Sequence, residues 1–282
     1  MIGLGYALAV LSSITYGAAD FLGGLATRRS TLFPVLVVSQ AVGLVLVLLS
    51  LPFLPAASPT AKDVLWGGAS GLSGGIGLAL LYRGLAIGVM SVVAPVTAVC
   101  AVIIPVGFGV ALGERPTGLA ILGFLMAIVA IVLISQSGHL EEGKSPTTGL
   151  ATAIASGVTL GIFLVCLQRA GPSAGLWPLV AARAVSVSCF ILAGLTARKR
   201  LLPRRESMPI VIGGGTLDMA ANVLYLLAVR HGPLSIVATL TSLYPASTIL
   251  LARIVLGERL RPLQGAGVAC AAVAILLIVS GR

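Results

Sequence analysis

The chain has 282 residues, 58% of them hydrophobic and 9% charged, with a formal net charge of +10 and a mean hydropathy of +1.11. A soluble domain carries about 25% charged residues, so a soluble globular fold is excluded and lipid is the medium around most of this chain. The basic excess is not a nucleic-acid signature, because it sits mainly in short connections between apolar runs, where it serves as a headgroup anchor.

Ten apolar runs follow one another, near residues 3–27, 32–55, 64–87, 91–112, 117–137, 148–168, 176–196, 209–230, 234–256 and 262–280. Each approaches the roughly 20 residues that a helix needs to cross the hydrocarbon layer. Helices are required because lipid offers no partner for backbone N–H and C=O groups. A transmembrane barrel would show shorter, alternating strands. The first run has no basic leader and no small-residue cleavage site, so it is expected to be retained as the first helix. The expected class is an all-α integral membrane protein.

A register of 144 residues, the separation of Gly113 from Gly257, relates the two halves. It brings Ser12, Thr15 and Gly17 onto Ser156, Thr159 and Gly161, and Pro34 onto Pro178. It also brings Gly71 onto Gly215, Ser91 onto Ser235, Thr97 onto Thr241, and Ala127 and Ala130 onto Ala271 and Ala274. No gap is needed across five spans. The connector 138–148 is the seam, giving units 1–137 and 148–282. Five is odd, so the second copy enters the membrane from the opposite side. The expected arrangement is two inverted five-helix repeats, a design that favours alternating access. A duplication kept only for folding is the alternative.

These residues resemble the drug/metabolite transporter superfamily, specifically its ten-helix EamA-type proteins. The resemblance rests on the endings Leu112–Arg115 and Leu256–Arg259, both reading LGER, and on the proline-broken helices before them. The Leu-Tyr pairs Leu81-Tyr82 and Leu224-Tyr225, and the small-residue helices after each ending, support it. It covers nearly the whole chain. It implies a central cavity lined mainly by helices 1–4 and 6–9, with helices 5 and 10 peripheral, and both termini in the cytoplasm. The charge count points the other way. Arg28, Arg29, Lys144, Arg198, Lys199, Arg200, Arg204, Arg205, Arg259 and Arg261 fall on the face reached after odd-numbered spans. Lys62, Arg115, Arg169, Arg230 and Arg282 fall on the other. The positive-inside rule then puts both termini outside. The expectation follows the family, since one loop, Arg198 to Arg205, supplies half of the richer side.

Charge within a bilayer costs about 2.5–3.5 kcal/mol per residue on insertion scales, so intramembrane charges are the first site candidates. They are Asp20, Arg83, Arg183, Asp218 and Arg253. Arg83 and Arg253 lie near helix ends and can reach the interface. Asp218 lies near the middle of the eighth span, with Asn222 and Tyr225 on the same face at i+4 and i+7. The first-half equivalents Gly74, Leu78 and Leu81 are apolar, so this polar stripe is an addition to one half. Arg183 lies within about 5 Å of Asp218 in depth and can pair with it. A structural pair and a substrate-binding or proton-linked pair stay open. Asp20 faces the same way as Tyr16, and Gln40 could hydrogen-bond it. The related small multidrug-resistance proteins carry a carboxylate on their first helix that exchanges protons for substrate. Asp20 resembles it but lies closer to the helix end; helix packing is its other reading.

Pro95, Pro105 and Pro245 would free the carbonyls of Ser91, Ala101 and Thr241 and let the fourth and ninth helices bend as gates. Thr97, Thr241 and Thr248 add hydroxyls nearby. The Gly-Glu-Arg endings are read as turn-fixing: Gly stops the helix, and Glu and Arg stand at headgroup level. The glycine clusters near 67–77 and 213–215 lack the strand and the Lys-Ser/Thr of a phosphate loop, so they serve close helix approach. Cys100, Cys166, Cys189 and Cys270 fit no zinc or redox spacing and read as small core residues. His139 and His231 have no partner at metal-ligand spacing, and no G-x-S-x-G turn accompanies the serines.

The expected function is secondary active transport, in the export direction, of small organic metabolites or amphipathic compounds across the plasma (inner) membrane. Asp218, Asn222, Tyr225, Arg183, Tyr244, Thr241 and Thr97 are the substrate-binding candidates. Asp20 and Asp218 are the proton-coupling candidates, and Pro95, Pro105 and Pro245 the gating ones. No metal, cofactor, nucleic acid or enzymatic step is expected; the partners are substrate, lipid and protons. A homodimer through helices 5 and 10, or their packing within one chain, stays open. The rivals are an ion-independent facilitator, a lipid-acting membrane enzyme and a non-transporting scaffold.

Overall fold

The computed structural model describes residues 2–54, 57–111, 117–135, 146–231, 240–241, 243–260 and 262–280. Among them are ten α-helices, which we label α1 (Ile2–Arg29), α2 (Leu32–Ser50), α3 (Ala61–Ile87), α4 (Met90–Ala111), α5 (Gly118–Ser135), α6 (Pro146–Gln168), α7 (Trp177–Thr196), α8 (Met208–His231), α9 (Pro245–Leu256) and α10 (Pro262–Ser280). No strand occurs among the described residues. Nine helices coincide with the apolar runs to within a few residues. Six, including α1, α3 and α8, are long and apolar enough to cross a membrane; α4, α5, α9 and α10 are shorter apolar helices over the described residues. Much of the outer surface is apolar, with Leu65, Leu125, Ile128, Leu192 and Ile254 all exposed, as a lipid-facing surface requires.

The ninth run is interrupted before Pro245: residues 240 and 241 are helical, 243 and 244 form a turn, and a new helix follows. Pro245 opens α9 at its first turn, with Tyr244 as its N-cap. Proline suits that position, where its missing N–H is no loss. The Thr241 carbonyl is not freed either: it accepts from the Tyr244 N–H at 3.1 Å. Pro95 and Pro105 do lie inside α4 as expected. Residues 232–239 and 242, the start of the ninth run, lie outside the described residues.

Helix ends follow local chemistry. Thr60 caps α3 in a capping box: its hydroxyl accepts from the Asp63 N–H at 3.3 Å, and the Asp63 carboxylate accepts from the Thr60 N–H at 2.8 Å. The same carboxylate accepts from the Gly171 N–H at 2.7 Å, and the Ser58 N–H donates to the Ser173 carbonyl at 3.1 Å. These bonds join the α2–α3 and α6–α7 connections at one end of the bundle, here called the α6–α7 end. α9 stops at Gly257, whose φ of 66° is the left-handed conformation that glycine adopts without strain.

Helices of the first half pack mainly on helices of the second: α1 on α8, α3 on α6 and α7, α4 on α6, and α2 on α7 and α8. α5 packs chiefly on α10, through Ala127, Ala130, Ala271 and Ala274. The two expected peripheral helices thus pair within one chain. Without a hydrophobic drive between helices in lipid, close backbone approach must supply the packing. Gly71 and Gly215 provide it. A Cβ at Gly71 would overlap the Ala182 carbonyl, and one at Gly215 would stand 2.6 Å from the Ser39 carbonyl oxygen. Hydrogen bonds across the halves also come in counterparts 144 residues apart. Ser12 Oγ donates to the Ala221 carbonyl and Ser156 Oγ to the Gly77 carbonyl, both at 2.8 Å.

At the opposite end from the α6–α7 connection, here the α1–α2 end, a buried apolar cluster fills the bundle. Phe21, Leu25, Tyr82, Leu85 and Met90 belong to it.

Candidate functional site

A cavity of about 280 Å³ lies within the bundle, near the lower end of the roughly 300–1,000 Å³ usual for small-molecule sites. Its walls come from α1, α2, α3, α4, α6, α7 and α8, and from Thr241 and Tyr244. Among the described residues, none of those lining it lies on α5 or α10. The lining runs from mid-bundle to Gln168, the last residue of α6, and so reaches the α6–α7 end. Toward the α1–α2 end it is closed by Leu78 and Leu81, which belong to the same buried cluster as Tyr82, Leu85 and Met90.

Most of the wall is apolar, with Leu78, Leu81, Val102, Leu160 and Phe163 prominent. Gly71, Gly74 and Gly75 bring the α3 backbone to the surface of the cavity. The polar groups cluster at mid-depth. Arg183 of α7 forms an ion pair with Asp218 of α8, as their depths suggest. The Arg183 Nη1 also donates to Gln40 Oε1 of α2 at 2.5 Å, and Ser186 Oγ donates to the same oxygen at 2.9 Å. Gln40 therefore serves Arg183, not Asp20 as the sequence suggested. It is 3% exposed and holds one terminal nitrogen of the guanidinium while Asp218 holds the other. Its role was missed because helix α7 carries the partner, and no spacing links residue 40 to residue 183.

Asp20 is 7% exposed and lines the cavity. Among the described residues its carboxylate makes no hydrogen bond or ion pair. Tyr16, one turn before it on α1, also lines the cavity, with its ring centroid 6.4 Å from that of Tyr244. Asn222 and Tyr225 line the cavity on the face of α8 that carries Asp218. The Asn222 amide donates to the Asp218 carbonyl at 2.7 Å, which leaves its oxygen available as an acceptor.

Thr241 lines the cavity, and its buried Oγ1 has no hydrogen-bond partner among the described residues. Thr97, its counterpart, is fully buried between α4 and α6, where it donates to the Ala153 carbonyl at 3.2 Å. Thr97 does not belong to the cavity wall. Thr248 likewise serves packing, donating to the Gly17 carbonyl at 3.0 Å. Of the three prolines only Pro105 lines the cavity. Arg83 and Arg253 point to the outside of the bundle. The ending at Leu112–Arg115 lies outside the described residues. No group of three or more metal-ligating side chains occurs among the described residues.

What the arrangement can do is bind a small solute. One ion pair is internally balanced, one carboxylate is not, and several hydroxyl and amide groups stand among apolar and aromatic walls. A solved structure described as "Crystal structure of protein" matches with a TM-score of 0.67 at 14% identity, over 98% of this chain and 96% of that one. At that identity the likeness is one of fold. No curated protein matches the chain. Residues 147–280 match the model of the EamA-like transporter family. That match spans just under half of the chain; with an all-helical fold that includes six helices long and apolar enough to cross a membrane, the chain is a multi-pass membrane protein whose second half is similar to the EamA-like transporter family.

Proposed function

We propose that this chain is a secondary active transporter of the plasma (inner) membrane, exporting small organic metabolites or amphipathic compounds by alternating access. Its working parts are two inverted five-helix repeats, residues 1–137 and 148–282. The 144-residue counterparts support the repeat: Ser12 with Ser156, Gly71 with Gly215, and the alanines that join α5 to α10. The observation that carries the functional reading is the cavity itself. It reaches the α6–α7 end, is backed by packed side chains toward the α1–α2 end, and holds charge at mid-depth. That geometry supports a solute site that opens to one side at a time.

Arg183 and Asp218 hold each other and orient Asn222 and Tyr225 toward the solute. Thr241 supplies a hydroxyl, and Tyr16 and Tyr244 an aromatic wall. Asp20 is the uncompensated carboxylate. A lone charge in a low-dielectric cavity is costly, so a proton or a cationic group neutralises it. If the two compete for Asp20, loading of one releases the other, and proton entry drives solute exit. Pro95 and Pro105 in α4, and Pro245 at the start of α9, are the hinge candidates. The reading assigns no enzymatic step, metal or cofactor.

The test is transport by purified protein in vesicles under an imposed pH gradient. A thermal-shift panel of amino acids, purines and drug-like cations first selects the solute. Gradient-driven accumulation is expected, and Asp218→Asn reduces it while the protein stays folded. Equilibration without accumulation would favour an ion-independent facilitator. Undiminished transport by the folded variant would remove Asp218 from the site.

A further inference from the structure

The Gly-Glu-Arg ending after α9 does more than fix a turn. The Glu258 side chain, 3% exposed, folds back from that turn onto the start of α4. Its Oε1 accepts from the Met90 N–H at 3.2 Å, and its Oε2 from the Ser91 N–H and Oγ, both at 3.1 Å. A carboxylate there satisfies N–H groups that the helix leaves unpaired and sits at the positive end of its dipole. Arg28, from the last turn of α1, pairs with the same carboxylate at 3.3 Å. Its guanidinium also donates to the Leu85 carbonyl at 2.9 Å and the Gly88 carbonyl at 3.0 Å. One carboxylate and one guanidinium therefore tie together α1, the end of α3, the start of α4 and the end of α9. They stand over the cluster of Tyr82, Leu85 and Met90 that backs the cavity at this end.

We propose that Glu258, held by Arg28, is the latch that keeps the α1–α2 end of the transport path shut. The inference rests on the alternating-access reading above. Opening this end draws the α9 turn away from α4. The latch bonds then break together, and the carboxylate, the first α4 amides and the guanidinium are hydrated instead. The cost of separating buried charge from its partners makes this a two-state element and not a gradual one.

The two ends are not equal in sequence. The register of 144 residues sets Glu114 at the position of Glu258 and Ser235 at that of Ser91, but Pro172 at that of Arg28. A carboxylate and a serine recur, and the arginine does not. The α1–α2 end thus carries an arginine that the register does not repeat, and its ion pair with Glu258 biases the resting protein toward the state in which this end is closed.

The test is hydrogen–deuterium exchange of the full chain in lipid nanodiscs, with Glu258→Gln, Arg28→Gln and the control Arg29→Gln. Both latch variants are expected to speed exchange at residues 90–93 at least tenfold. In the same samples, exchange slows at least threefold at residues 168–177, as the α6–α7 end closes in compensation. Arg29→Gln changes neither. If Glu258→Gln does not fold, Arg28→Gln decides the matter, because it leaves the bonds to Met90 and Ser91 in place. Faster exchange at 90–93 with no slowing at 168–177 would reduce Glu258 to a helix cap and overturn the proposal. Transport separates the two readings. Reciprocal exchange in a protein that moves no solute supports the latch and sinks the transporter, whereas transport with purely local loosening does the reverse.

Discussion

The Arg183–Asp218 pair gives the sharpest energetic prediction. Breaking a buried ion pair by removing one partner costs about 3–5 kcal/mol, because the other charge is stranded. Interhelical polar contacts in membrane proteins are worth much less, about 0.6 kcal/mol on average and near 1.7 at most. Geometry decides between these figures. The two side chains are 13% and 16% exposed and face a cavity that water can enter, so neither is fully desolvated. Arg183 also keeps Gln40 when Asp218 is removed. We expect Asp218→Ala and Arg183→Ala each to destabilise by about 2 kcal/mol, between the two limits. The double variant strands no charge, so it should cost only about 2.5 kcal/mol, a coupling of about 1.5 kcal/mol. Reversible unfolding by denaturing detergent in mixed micelles measures all three. Costs that simply add, to within about 0.3 kcal/mol, would refute the reasoning, since a pair that does not couple is not holding α7 to α8. The charge-swapped variant, Arg183→Asp with Asp218→Arg, then divides structure from function. It should regain most of the stability but not transport.

Other perturbations test other parts. Asp20→Asn should abolish accumulation driven by a pH gradient while leaving solute exchange at equal pH measurable; retained accumulation would take Asp20 out of coupling. Gly71→Ala should lower the unfolding midpoint markedly, because its Cβ would overlap the Ala182 carbonyl. Gly68→Ala, whose Cβ would rest 3.5 Å from Val185, should be tolerated in the same thermal unfolding assay. Ser12→Ala and Ser156→Ala remove counterpart hydrogen bonds. They should cost similar amounts, about 0.5–1 kcal/mol each on the scale of such contacts, and a large inequality would argue against equivalent roles in the two halves.

Much of the helix layout was legible before any coordinates. Lipid forces every spanning backbone into helix, so apolar length alone places the helices, and nine runs agree with their ends to within a few residues. The intramembrane charges stood out for the same reason, since each is costly unless paired or used. Asp218, Asn222 and Tyr225 share a face by helical periodicity, and Arg183 matched Asp218 by depth counted along two adjacent helices.

The misreadings have a common cause. Gln40 was assigned to Asp20 because both sit near the first connection, yet the packing of α2 on α7 carries it to Arg183. Thr97 and Thr241 are equivalent in register, but one is spent between α4 and α6 and the other faces the cavity. Pro245 breaks the ninth run as expected, but the Thr241 carbonyl that its missing N–H would leave free accepts from the Tyr244 N–H instead. Glu258 was read as a turn residue, and it reaches the start of α4, 168 residues away from its own position along the chain to Met90.

The sequence by itself determined the solvent and the helices, because both follow from apolar length along one chain. Only the tertiary structure decided which polar side chains meet. The helix faces that carry them are almost uniformly apolar, so rotation and neighbour choice are set by backbone contacts such as Gly71 on Ala182 and Gly215 on Ser39. A single chain position records neither of those.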